Sequence, residues 1–200
     1  MYNETDKFEL HVTESPDTLT YGNFKKFDVV VSNWNQWPQN DKPWLKSTKQ
    51  GLMRFIDEGG GLVLFHASSA SFYDWDEFHK LIGATWGAKT RHGKITDHEV
   101  IIENNRHPIT KGLENFWIKD ELWVEMELQE NVNILASSHS KVENKGRNMM
   151  EPVLFWDVKG KGRCFYNVLG HDVFAMNNEY WKKIMLRGTE WAAKGSVSSF

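Results

Sequence analysis

Cysteine is almost absent from this chain: Cys164 is the only one in 200 residues. A single thiol excludes an internal disulfide and any paired-cysteine zinc or redox motif, and it fits a reducing compartment. Long apolar runs are also missing. None approaches the ~20 residues that a membrane-spanning helix needs, and the polar start Met1-Tyr2-Asn3-Glu4-Thr5-Asp6-Lys7 is no signal peptide. The expected location is therefore the cytoplasm. Nor is there an excess of positive charge: 24 Lys+Arg against 27 Asp+Glu leave a net charge of −3. Nothing in that balance argues for nucleic acid or an acidic membrane as a partner. Repeats, low-complexity tracts and interdomain linkers are absent, which predicts one domain over residues 1–200.

Tryptophan, in contrast, is abundant, with ten in the chain. Planar rings with a polar edge suit sugar faces, although most tryptophans in any protein belong to its core. The most informative stretch is Gly59-Gly60-Gly61-Leu62-Val63-Leu64-Phe65-His66-Ala67-Ser68-Ser69. A short apolar run bounded by glycine predicts a parallel strand buried on both faces. Small residues after His66 allow a sharp turn at the carboxyl edge, where open α/β sheets hold ligands. The geometry is that of a nucleophile elbow with histidine at its apex. Because the glycines precede a strand and do not open a helix, they form no phosphate cradle.

Elsewhere the periodicities alternate. Phe8–Val12 predicts a half-buried strand, and Phe27–Asn33 a buried parallel one. The latter runs into Asn33-Trp34-Asn35-Gln36-Trp37-Pro38, whose amides and indoles (Asn33, Trp34, Asn35, Trp37) are candidates for binding substrate. Helices are predicted from Pro43 to Glu58, from Asp74 (as N-cap) to Leu81, and from Asn178 to Ala193. Further extended segments are expected around residues 86–103, 116–123, 131–137, 152–156 and 163–169. The last two are joined by the hairpin-like Lys159-Gly160-Lys161-Gly162. Strand, helix, strand, helix at the start favours an α/β sheet with right-handed crossovers.

Three polar clusters fall at predicted strand ends: His66; Asp120 with Glu121; and His171 with Asp172. Two imidazoles with carboxylates suit acid–base catalysis near neutrality. The same His66, Glu121 and His171 suit a divalent metal such as zinc. Spacing along the chain does not choose between the two. His107 precedes a proline and is read as fixing its turn, His92 and His98 as surface residues, and His79 as packing. Cys164 lies mid-strand with no histidine beside it, which argues against a nucleophile. Ser68 and Ser69 lack the G-x-S-x-G frame of a serine hydrolase.

Taken together, these motifs resemble the ThuA-like (trehalose-utilisation) family. The resemblance is carried by Phe27-Asp28-Val29-Val30-Val31, Gly59–Ala67, His107-Pro108-Ile109-Thr110-Lys111-Gly112-Leu113, Asp120-Glu121-Leu122-Trp123, Gly160-Lys161-Gly162-Arg163, Leu169-Gly170-His171 and Trp191-Ala192-Ala193. It implies a class I glutamine amidotransferase-like fold, flavodoxin-like, with a mostly parallel sheet and helices on both faces. It also implies a carbohydrate-metabolism enzyme acting on a sugar or keto-sugar. The alternative is a non-catalytic sugar-binding or interaction module, and a homo-oligomer is compatible with either. His66 in place of the amidotransferase cysteine argues against thiol-dependent glutaminase chemistry. The resemblance places His66, Glu121 and His171 in the pocket, with Asp120 and Asp172 orienting them. The family usually begins with a strand and helix ahead of the segment matching Phe8–Val12, and their omission is expected to leave a gap inside the sheet.

Overall fold

The computed structural model describes residues 1–36, 44–72 and 74–198. Among these residues the strands are β1 (Val29–Ser32), β2 (Gly61–Phe65), β3 (Ala84–Thr85), β4 (Arg91–His92), β5 (Thr96–Ile102), β6 (Phe116–Asp120), β7 (Trp123–Val124), β8 (Glu127–Leu128), β9 (Asn133–His139), β10 (Met150–Lys159) and β11 (Gly162–Asn167). The α-helices are α1 (Tyr21–Phe24), α2 (Lys46–Asp57), α3 (Asp76–Ile82), α4 (Val173–Met176) and α5 (Glu179–Lys194). Seven strands form one sheet in the order β1-β2-β11-β10-β9-β5-β6.

The result is an α/β protein, but the sheet is not mostly parallel. Only the β1–β2 and β2–β11 pairs are parallel; β11–β10, β10–β9, β9–β5 and β5–β6 are all antiparallel. The cause is local. Lys159 pairs with Gly162, so a two-residue turn reverses the chain where a parallel sheet needs a long crossover. The expected gap is not there either. Among the described residues the ladder runs unbroken from β1 to β6, with β1 at one edge. As an edge strand β1 is only half-buried, and Val31 is 37% exposed. The segment Phe8–Val12 forms no strand. Asp74 does not cap α3, which begins two residues later; its carboxylate pairs with Lys49.

The strand before the elbow is buried as its sequence predicts, with Leu62, Val63 and Leu64 all 1% exposed or less. Its alternation brings helix α5 onto one face: Gly61 lies against Ala192 and Phe65 packs edge-on to Trp181. A Cβ at Gly61 would sit 2.6 Å from the Ala192 backbone, so only glycine allows this approach. Helix α5 starts where Asn178 accepts from the Tyr180 and Trp181 amides, a side-chain N-cap. Most of the tryptophans serve the core: Trp44, Trp75, Trp123, Trp181 and Trp191 are buried, Trp34, Trp86 and Trp156 pack partly buried against it, and among the described residues only Trp117 is largely exposed.

Candidate functional site

Three strand ends meet at one place. β2 delivers His66, the loop after β6 delivers Glu121, and the loop after β11 delivers His171. The turn after β2 is sharp: His66 has φ +40°, left-handed backbone that a non-glycine residue rarely adopts. Tyr166 stabilises it by donating a hydrogen bond from its hydroxyl to the His66 carbonyl at 2.8 Å. Strained backbone held in place by its surroundings is characteristic of functional sites.

The His66 ring is 7% exposed. Its Nδ1 lies 2.9 Å from the Val168 carbonyl oxygen. A carbonyl only accepts, so Nδ1 carries the hydrogen and Nε2 is left with its lone pair. That Nε2 faces His171 Nδ1 at 3.2 Å and Glu121 Oε1 at 3.9 Å, and His171 Nδ1 lies 3.6 Å from the same oxygen. Burial pushes the His66 pKa below its ordinary value, against the Val168 hydrogen bond and the Asp120 and Glu121 charges, which raise it.

These donor atoms all lie within 4.8 Å of one another. Four ligands around zinc at 2.0–2.1 Å would stand about 3.3–3.4 Å apart, close to the observed spacing. The His66 Nδ1–H bond to a backbone carbonyl is also how metal-ligating histidines are oriented. His171 is exposed while His66 and Glu121 are buried, so the group opens on one side. A set of three protein donors with an open position is the catalytic form of such a site. The residues present therefore fit a divalent metal.

Asp120 organises both neighbours. Its carboxylate accepts from the amides of Gly170 at 2.6 Å, His171 at 3.1 Å and Glu121 at 2.8 Å. Burial raises its pKa, and those three N–H groups oppose the rise. At Gly170, φ is +107°, which turns its amide toward Asp120 without a side-chain penalty. Asp172 does something else: it accepts from the Ala175 amide at 2.9 Å and so caps α4. With Ile95, Lys119 and Phe174 it also lines a neighbouring groove of about 420 Å³.

The candidate substrate-binding loop follows β1. Asn33 and Asn35 are exposed and Trp34 is half-buried against Trp44, while Trp37 lies outside the described residues. The loop is tied to the His66 turn, since the Gln36 amide donates to Ser71 Oγ at 3.0 Å and that hydroxyl donates to the Trp34 carbonyl at 2.9 Å. Ser68 and Ser69 are each 1% exposed; Ser68 donates to Ser32 O at 2.7 Å, and Ser69 Oγ lies 2.7 Å from the Tyr166 hydroxyl. Neither is presented as a nucleophile. Cys164 is likewise buried, and burial pushes its thiol pKa up.

Of the two histidines read as surface residues, His92 is exposed and His98 is buried. His98 is 5% exposed, and its Nε2 bonds the Asp120 carbonyl at 3.0 Å. His92 reaches the site: its Nδ1 lies 2.9 Å from Glu121 Oε2. Trp123 was also missed; its indole N–H donates to Glu121 Oε1 at 2.8 Å, and its ring packs 4.7 Å from that of His66. No sequence signal tells this exposed histidine from any other surface one, because its nearness to Glu121 comes from β4 pairing with β7. His107 does fix its turn, accepting from the Ile109 amide at 3.3 Å.

Comparison with known proteins agrees with this architecture. The family model described as trehalose utilisation (ThuA) matches residues 1–192. A ThuA-like protein of Parabacteroides merdae is 26% identical with a TM-score of 0.79, covering 88% of this chain and 74% of that one. A second, from Bacteroides uniformis, is 19% identical with a TM-score of 0.73, covering 96% and 81%. A cytoplasmic protein of Salmonella typhimurium shares the fold at 12% identity and a TM-score of 0.62, covering 86% and 75%. No curated protein matches the chain. Among the described residues, no helix is long and apolar enough to cross a membrane.

Proposed function

The chain belongs to the ThuA, or trehalose-utilisation, family, and from that premise we propose that it is a cytoplasmic enzyme of carbohydrate metabolism. It takes a sugar or keto-sugar at the carboxyl edge of the parallel strands, over a divalent metal held by His66, Glu121 and His171. The observation carrying this reading is the spacing of 3.2, 3.6 and 3.9 Å among the three donor atoms, with the His66 tautomer set by Val168. Asp120 holds the His171 and Glu121 backbones, and the loop Asn33–Trp34–Asn35 supplies polar and stacking groups for a sugar ring. When bound, a divalent ion supplies Lewis-acid polarisation of a carbonyl or hydroxyl oxygen.

The 3.2 Å His66–His171 contact also supports a second reading, in which the two rings share a proton as an acid–base pair without metal. Elemental analysis of the purified protein separates the two: one equivalent of metal in the wild type, and none in His66→Ala or His171→Ala, is the expected result. Turnover assayed on mono- and disaccharides and their keto forms should vanish in the same variants while far-UV spectra stay unchanged. Stoichiometric metal in both variants would overturn the metal reading. Sugar binding with no turnover in any form would replace the enzyme by a binding module.

A further inference from the structure

His92 lies outside the three-residue donor group, yet it makes the closest contact to Glu121 Oε2. Its Nδ1 stands 2.9 Å from that oxygen and 2.9 Å from the Gly93 carbonyl oxygen. Both are acceptors, so Nδ1 carries the hydrogen; that hydrogen is directed to the Gly93 carbonyl, and the Glu121 oxygen meets the positive edge of the same N–H as a close electrostatic contact. Glu121 is then held at both ends of its carboxylate. Trp123 donates to Oε1 at 2.8 Å and the His92 N–H edge lies 2.9 Å from Oε2, and among the described residues no other side chain is placed against Oε2. From this geometry we infer that His92 is the positioning residue of Glu121, aiming Oε1 at the imidazoles of His66 and His171.

The backbone that carries His92 is fixed without its ring. Arg91 pairs with Val124 and His92 with Trp123 in the short β4–β7 ladder. Thr90 Oγ1 donates to the Glu125 carbonyl at 2.9 Å, and the Asn144 side chain both accepts from the Lys94 amide at 2.6 Å and donates to the Lys94 carbonyl at 2.9 Å. The imidazole is 46% exposed at its side chain, so it contributes little core packing. Its removal therefore leaves the segment in place and releases Oε2. A carboxylate with one end free samples rotamers that turn Oε1 away from the histidines. Partners of this kind around a metal ligand typically change affinity by about 10–100-fold when mutated.

The inference about Glu121 stands on contacts alone; its consequence for metal rests on the function proposed above. Two readouts keep them apart. The first is the Trp123 indole N–H resonance in ¹H–¹⁵N spectra of the full chain, because that proton reports the place of Glu121 Oε1. His92→Ala should shift it in the direction given by Glu121→Gln, and His92→Asn, whose amide nitrogen stands near the position of Nδ1, should return it toward the wild type. The second is zinc affinity by competition with a chromophoric chelator: a loss of about 10–100-fold in His92→Ala, largely restored in His92→Asn. An indole resonance unmoved in His92→Ala overturns the positioning role. A moved resonance in a wild type that takes no zinc leaves the positioning role standing and removes the metal.

Discussion

At His66, one residue carries both the strain and the chemistry. Its φ of +40° costs on the order of 1–2 kcal/mol for an ordinary side chain, and asparagine is among the few residues that tolerate this region. His66→Asn should therefore be more stable than His66→Ala by about 1 kcal/mol in urea unfolding, while both lose the candidate site. Equal stabilities would show that the turn is not strained. His107 behaves differently because nothing charged offsets its burial between Trp156 and Trp191. Burial lowers its pKa from the ordinary 6.5 to about 4. The unfolded chain then binds more protons between those values, so the stability from neutral His107 is complete above pH 6.5 and is lost as pH falls toward 4. Denaturation midpoints followed from pH 7 to 4 should fall less steeply in His107→Gln than in the wild type, where the imidazole supplies part of the slope.

At the scale of elements, β2 and α5 are matched through Gly61. The glycine triplet reads in sequence as a helix stop and strand start; that its third member also receives a helix is visible only where Ala192 comes within 2.6 Å of a Cβ position. Gly61→Ala should cost about 1–3 kcal/mol as α5 moves away, measured by chemical unfolding. The buried β2 run and the 159–162 hairpin were legible because both are local patterns. The register and direction of the middle strands were not. β9 and β10 are extended by composition, but their antiparallel place in the sheet depends on partners such as Ser138 with Glu151 and Val100 with Ser138. β1 and β2 pair in parallel, as their apolar runs suggested, yet β1 is an edge strand, and a run of valines carries no mark of whether a neighbour lies on its other side.

At the scale of the whole molecule, the candidate site joins parts of the chain 105 residues apart, from His66 to His171. A ligand bound there holds β2, the β6 loop and the β11 loop together and stabilises only the folded state. At 100 times its dissociation constant it adds about 2.7 kcal/mol, which for a protein of this size raises Tm by roughly 5–10 °C. Zinc should produce that rise and a chelator should reverse it, whereas His66→Ala should be insensitive to both; an unchanged wild-type Tm would weigh against a metal at these residues. The sequence by itself determined which side chains were available: histidine at the apex of a glycine-launched strand, an Asp-Glu pair, a Gly-His-Asp end, and a thiol too deep in a strand to react. Those are properties of composition and of neighbours within a few residues, where periodicity and turn chemistry act. Only the tertiary structure decided that Asp120 orients while Asp172 caps a helix, that Ser68 and Ser69 are closed off, and that His92 grips Glu121. Except for the Asp172 cap, which is a contact to Ala175 three residues on, each of those assignments is set by a distance between residues from different parts of the chain, and such distances exist only once the sheet has closed.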